Sequence, residues 1–255
     1  MSQTIRYPEI MEIARRDGKV TVEDLADHFG VTLQTIRRDL ADLSEAGRLD
    51  RVHGGAVLPS GVTNIGYEDR RNLNAEGKAI IASACASEIP NDCSVFLNIG
   101  TSTEAVAAKM LGHRNILAVT NNINVATTLS QNPDCQIVLA GGALRRSDGG
   151  LVGDLTTRTI RHFKFDIAVI GCSALDEEGD ILDFDMQEVG VTRAIIDQAR
   201  RIFLVADTSK FLRKAPVRVA TLSDLDAFFT DRDPPAPLPD RCAEHDVALH
   251  VVRPG

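Results

Sequence analysis

Between residues 75 and 220, six short apolar runs alternate with longer stretches of helical patterning. This rhythm constrains the fold more than any other feature of the chain. Residues 95–99, 116–120, 136–140, 165–170, 201–206 and 217–220 read as buried strands. Residues 75–88, 103–111, 123–130 and 187–199 read as helices between them. Nearly continuous apolar strands separated by helices predict an α/β domain with a mainly parallel sheet covered on both faces. Small ligands bind such sheets beyond the carboxyl ends of the strands, so the residues that follow each strand are the first candidates for a site.

Those residues are small, hydroxylated or amidic. Asn98-Ile99-Gly100-Thr101-Ser102-Thr103 follows the first run and opens a helix, where free N–H groups favour an anion. Thr120-Asn121-Asn122, Gly141-Gly142, Gly171-Cys172-Ser173-Ala174 and Asp207-Thr208-Ser209-Lys210 follow the next four. One such loop is ordinary turn chemistry. Five that converge, one of them carrying a lysine as a point charge, suit a phosphorylated polyol or sugar. The acids Asp176, Glu177, Asp183, Asp185 and Glu188 cluster after the fourth run. They fit proton transfer, binding of ligand hydroxyls, or a solvated loop. No GxxxxGK[ST], GxGxxG or GxSxG motif is present, and none of the six histidines falls in the five loops. A binding domain is therefore expected rather than an enzyme. The rival class is a sugar-phosphate isomerase or deaminase with an appended head.

The first 58 residues have a different character. A helix over residues 6–17 with Ile10, Ile13 and Ala14 inward ends at Asp17-Gly18, and Lys19-Val20 is short and extended. Thr21 then caps a second helix with Asp24 three residues on. Gly30 ends that helix, Thr32 caps a third, and Gly47 ends the third. At roughly 100° per residue, Leu33, Ile36, Leu40 and Leu43 share one side of the third helix. The other side carries Gln34, Thr35, Arg38 and Asp42, with Arg37 on the flank. These are groups that pair with base edges in a major groove, although a solvated amphipathic helix has the same pattern. Residues 48–57 read as a β-hairpin turning at Gly54-Gly55, a wing whose Arg48, Arg51 and His53 suit phosphate contacts or simple exposure. Helix, turn and polar-faced helix followed by a hairpin is a winged helix-turn-helix.

Charge sharpens this expectation. The 255-residue chain carries a net charge of −8, and its first sixty residues hold eight basic against ten acidic side chains. Any DNA binding must come from where the arginines sit, not from bulk basicity. Residues 59–74 are breaker-rich and read as a linker. The five cysteines (Cys85, Cys93, Cys135, Cys172, Cys242) show neither CxxC nor zinc spacing, so reduced thiols in a cytoplasmic protein, with no metal and no cofactor, are expected. The polar start predicts no signal peptide, and no apolar run is long enough to predict a membrane span.

LADHFGVTLQTIRRDLADL followed by GRLDRVHGGAV resembles the winged helix-turn-helix of the DeoR family of bacterial repressors. FLNIGTSTEAVA, VTNNINVATTL, LAGGALRRSDGG, FDMQEV, TRAII and ADTSKF resemble the sensor domain of the same family, and the two resemblances together cover about residues 5–232. The resemblance implies a repressor of palindromic operator DNA, organised as a DNA-binding domain (1–58), a linker (59–74) and an effector-binding domain (75–255). It further implies that the last of these is related to ribose-5-phosphate isomerase and sugar-phosphate deaminases but used for sensing. Homodimers or homotetramers are implied, and the wording of the sensor motifs implies glycerol 3-phosphate as effector. Two positions depart from the family pattern: Asn98 stands where Asp is common, and Leu212 where Gly is common.

Overall fold

The computed structural model describes residues 3–17, 19–46, 48–52, 54–58, 64 and 66–253. Two compact units divide after Leu73. The first contains α1 (Gln3–Asp17), β1 (Lys19–Thr21), α2 (Val22–Phe29), α3 (Leu33–Glu45), β2 (Asp50–Val52), β3 (Gly55–Val57) and α4 (Tyr67–Asn72). Its core gathers Ile10, Met11 and Ala14 of α1, Leu25 of α2, and Ile36, Leu40 and Leu43 of α3. The caps form as their residue types require. Thr21 accepts from the Asp24 N–H, Gly30 closes α2 at φ 60°, and Thr32 accepts from the Thr35 N–H. The three short strands pair antiparallel in the order β1-β3-β2. Gly54 takes φ 75°, and at Gly55 a Cβ would stand 1.9 Å from the Val20 carbonyl oxygen. The paired glycines thus combine a left-handed turn with a backbone approach that admits no side chain.

Three expectations change here. Leu33 is exposed rather than buried, because it lies in the first turn of α3, at the edge of the helix core. The inward place is taken by Asp39, which is 1 % exposed and receives two hydrogen bonds from Arg6 of α1 (2.7 and 3.0 Å). Asp42 turns toward α1 as well, accepting from the Tyr7 hydroxyl at 2.7 Å. The stretch expected as a linker ends in helix α4, which lies against α1 within the first unit. Gly47 and His53 lie outside the described residues.

The second unit runs α5 (Ala75–Ser87), β4 (Ser94–Leu97), α6 (Thr101–Lys109), β5 (Ile116–Thr120), α7 (Ile123–Leu129), β6 (Cys135–Leu139), β7 (Ala143–Arg145), β8 (Gly150–Val152), α8 (Asp154–Ile160), β9 (Phe165–Ile170), β10 (Ala174–Leu175), β11 (Asp180–Asp183), α9 (Met186–Gln198), β12 (Ala199–Val205), β13 (Val217–Thr221), β14 (Ala227–Thr230), α10 (Leu238–Glu244) and β15 (Ala248–Val251). Seven strands form one sheet in the order β15-β14-β12-β9-β4-β5-β6, every neighbouring pair parallel. Its alternating side chains feed two cores. Phe96, Ala168, Leu204 and Phe228 point to one face; Val95, Leu97, Val169, Phe203 and Phe229 point to the other. Both faces are apolar because helices cover both.

The run 217–220 forms a strand but leaves this sheet. β13 pairs antiparallel with β11, which pairs in turn with β10 in a separate three-stranded sheet. Its place in the main sheet is taken by two strands absent from the sequence reading, β14 and β15. These are four residues each, and the second is only partly buried, so neither gives a long apolar run. Among the described residues no helix is long and apolar enough to cross a membrane, and all five cysteines are unbridged.

Candidate functional site

Two regions carry the candidate residues, one in each unit. On α3, Gln34, Arg37 and Arg38 are exposed and Thr35 half-buried, while Ile36, Leu40 and Leu43 anchor the opposite face. The buried Arg6–Asp39 pair and the Tyr7–Asp42 bond fix the helix to α1. A rigid helix with a free polar face can present donors and acceptors to base edges. Exposed Leu33 adds an apolar contact at the helix start.

Not every candidate on this unit has its polar atoms free. The Thr21 hydroxyl is committed to the α2 cap, accepting from the Asp24 N–H and donating to the Asp24 carboxylate at 2.6 Å. The Thr32 hydroxyl caps α3 and lies 2.9 Å from the Thr35 hydroxyl. Arg51, exposed on β2, donates through Nη1 to the Arg37 carbonyl at 3.1 Å, which ties the wing to α3. Its other N–H groups remain exposed with the side chain, as does Arg48.

In the second unit the strand order fixes where a cleft forms. Chain order runs outward from β4 through β5 and β6 on one side, and through β9, β12, β14 and β15 on the other. The direction of winding therefore reverses between β4 and β9, which is where ligands enter sheets of this kind. Two predicted loops, Asn98–Thr103 and Gly171–Ala174, follow those two strands. Gly100 precedes α6 at φ 149°, and the first N–H groups of the helix point outward from its start. Asn98 is buried; its amide donates to Thr192 Oγ1 at 2.9 Å and its side-chain oxygen accepts from the Ile99 N–H at 2.7 Å. Asn at this position thus serves as donor and acceptor at once, which Asp does not.

Several predicted residues make hydrogen bonds within the protein that shape the cleft. Thr103 donates to the Asn98 and Gly100 carbonyls, and Thr120 to the Leu97 carbonyl. Asn122 caps α7 and donates to Glu104 at 2.9 Å. The Gly141 carbonyl accepts from Thr156, and at Gly142 a Cβ would meet Thr156 Oγ1 at 2.0 Å, so Gly142 is a packing requirement. Thr101 and Ser102 open α6, Ser102 buried and Thr101 half-buried. Gly171 has open space beside it, with its nearest neighbour 3.9 Å from an added Cβ. Asn121 donates to the Leu151 carbonyl, and its buried Oδ1 has no partner.

The charged residues divide into two groups. Lys210, 5 % exposed, and Lys78, 3 % exposed, face the fully buried Asp207. Burial raises the Asp207 pKa, but these two ammonium groups and the bonds from Ser209 outweigh it and hold the carboxyl below its ordinary value. Asn74 bridges Asp207 and Asp231, at 3.4 and 2.8 Å, and Thr208 donates twice to Asp231. Asp207 Oδ2 is buried without a partner. Lys78 escaped the sequence reading, although the signal was present. It shares a helix face with Ile81, Ala82 and Cys85, and a lysine on a buried stripe needs a counter-charge.

The second group centres on Arg145, also missed. Its guanidinium donates to Asp148 through Nε and Nη2 (2.9 and 2.7 Å), to Asp185 through Nη1 (2.6 Å) and to Glu188 through Nη2. Three of the acids expected in a run after the fourth strand, Asp183, Asp185 and Glu188, are thus separated by their surroundings. Asp185 caps α9, Asp183 accepts from Ser173, and Glu188 is buried against Arg145. Burial, with Asp183 adding to it, pushes the Glu188 carboxyl up to about 7 despite the arginine.

Nearly the whole chain matches known proteins. Residues 6–62 match the DeoR-like helix-turn-helix domain, and residues 73–232 the DeoR C-terminal sensor domain. The glycerol-3-phosphate regulon repressor of Escherichia coli (strain K12) is 43 % identical over 251 residues, covering 98 % of this chain and all of the relative. Its namesake from Haemophilus influenzae is 45 % identical over 230 residues, covering 90 % of each chain. Among solved structures, ribose 5-phosphate isomerase A from Methanocaldococcus jannaschii aligns with a TM-score of 0.41 at 11 % identity, over 54 % of this chain and 55 % of that one.

Proposed function

The chain belongs to the DeoR family of transcriptional repressors, and from that premise we propose that it represses genes of glycerol and glycerol 3-phosphate metabolism and leaves its operator when glycerol 3-phosphate binds the second unit. The observation that carries this reading is the near full-length identity with glycerol-3-phosphate regulon repressors, which spans α3 and the strand-end cleft in one alignment. Gln34, Thr35, Arg37 and Arg38 read base edges; Arg48 and Arg51 on the wing meet phosphates. Operator half-sites are palindromic because a homodimer or homotetramer presents the winged module about a two-fold axis.

In the cleft, Lys210 with Lys78 supplies the positive charge for the phosphate, and the N-terminus of α6 supplies N–H donors. The effector has to bind the DNA-released conformation more tightly than the DNA-competent one, since equal affinity shifts nothing. Couplings of this kind are on the order of 1–3 kcal/mol, roughly 5- to 150-fold in operator affinity. The protein turns nothing over in this scheme and works in the cytoplasm, where its operator is. Titration of the operator complex with glycerol 3-phosphate, with fructose phosphates as comparators, tests the reading. Release by glycerol 3-phosphate alone is expected, and unchanged operator affinity at saturation overturns it.

A further inference from the structure

We propose that Glu188, held by Arg145, is the subsite that reads the hydroxyl groups of the effector, separate from the lysines that take its phosphate. The inference rests on the reading of this cleft as the effector site. It begins from charge. Arg145 is one cation among three carboxylates, Asp148, Asp185 and Glu188, all within hydrogen-bond distance. Such a surplus of negative charge repels a phosphate and attracts hydroxyl donors.

Position comes next. Thr192, one turn after Glu188 on α9, accepts from the Asn98 amide and donates to the Glu188 carbonyl at 3.0 Å. That places Glu188 beside the point where the winding of the sheet reverses. Its Oε2 is taken by Arg145, and no donor among the described residues reaches its Oε1. Two buried acceptors at the strand ends, Asn121 Oδ1 and Asp207 Oδ2, have no hydrogen-bond partner among the described residues. An unfilled buried acceptor is costly, and only a donor relieves it. A polyol brings hydroxyl donors, whereas a fully ionised phosphate brings none. Arg145 acts here as a positioning residue. Its planar fork locks the β7–β8 hairpin to the start of α9 and aims the carboxylate of Glu188.

Calorimetric titration of the full chain tests this with glycerol 3-phosphate, inorganic phosphate and two deoxy analogues, propane-1,3-diol monophosphate and propane-1,2-diol 1-phosphate. Wild-type protein should prefer glycerol 3-phosphate over at least one deoxy analogue by ~10-fold or more, the scale of a hydrogen bond to a charged group. Glu188→Ala should bring that ratio to within about threefold without weakening inorganic phosphate, since it removes a negative charge; Glu188→Gln, which keeps the shape, and Arg145→Lys should give intermediate ratios. Equal wild-type affinity for all three esters overturns the hydroxyl subsite and leaves the effector reading standing. Equal weakening of all esters in both Glu188 variants also overturns it, since a merely structural residue would act that way. Wild-type protein that binds no phosphate ester overturns both.

Discussion

The face of α3 and the cleft beyond β4 and β9 are both polar, yet they are built in opposite ways. On α3 the polar side chains stand in solvent, and the helix beneath them is fixed by apolar contacts and one buried ion pair. In the cleft the polar side chains are themselves buried, and they hold one another. A surface that must fit a partner as large as DNA needs a stiff support and free groups. A pocket for a small molecule needs its groups held in place before the ligand arrives. It follows that substitutions on α3 should divide cleanly into stability and binding effects, whereas substitutions in the cleft should mix the two.

The largest effect expected on the first side of this contrast comes from the support. Asp39 is buried with both carboxylate oxygens on Arg6. Asp39→Ala removes both of these bonds from the buried guanidinium, which costs about 3–5 kcal/mol. Denaturant unfolding followed in the first unit should show the loss, and operator binding should fall with it. The double change Arg6→Met with Asp39→Leu should recover most of the stability, because a buried ion pair contributes little beyond an apolar pair of similar size. A loss under about 1 kcal/mol for the single change would mean that apolar packing alone holds α3.

On the other side, Glu188 mixes stability with function through its proton. Its carboxyl keeps that proton to about 7 in the folded chain and loses it near the ordinary glutamate value of 4.5 when unfolded. Between those values the folded state binds more protons, so stability falls as pH rises through that window and levels off above it. The ceiling for such a shift is about 3 kcal/mol. Asp166 works in the opposite sense. The Ser94 N–H and hydroxyl lower its pKa, so its contribution is lost only in acid, as pH falls through the ordinary carboxylate range and below it. Urea unfolding between pH 5 and 8 isolates the first effect, and Glu188→Gln should flatten the curve there. A wild-type curve that is flat, or that rises, across the window would place Glu188 among ordinary surface acids.

The same contrast explains what the sequence could tell. Helix α3, its caps and the glycine pair of the wing follow from local rules: Thr21, Thr32 and Gly30 sit where caps and a left-handed turn must be. The main strands 116–120 and 165–170 match the sheet residue for residue. What local rules could not reach is which buried polar group meets which. Arg145 and Glu188 are 43 residues apart, and Asn74 and Asp231 are 157 apart. Nothing near Asp39 in the chain betrays its partner Arg6, 33 residues away. Asn98 and Lys210 were named as site residues because they follow strands, but their partners came only with the fold. Strand β13 was legible as a strand but not as a deserter from the sheet, since apolar runs do not record which neighbour they pair with.

The smallest of these effects is the most direct test of the free face. Arg38 is exposed on α3, and among the described residues the caps and the wing make no hydrogen bond to it. Arg38→Ala should leave unfolding within about 0.5 kcal/mol of the parent, as for surface positions away from special features. If Arg38 pairs with a base, operator affinity should fall by about 1–3 kcal/mol and discrimination should relax at one position of each half-site. If it meets a phosphate, affinity should fall evenly across operator variants and the dependence on salt should weaken by about one charge. Binding to a set of single-base operator variants at two salt concentrations separates these outcomes. A loss of stability as large as the loss of binding would erase the distinction between the two regions, because Arg38 would then belong to the support rather than to the face it presents.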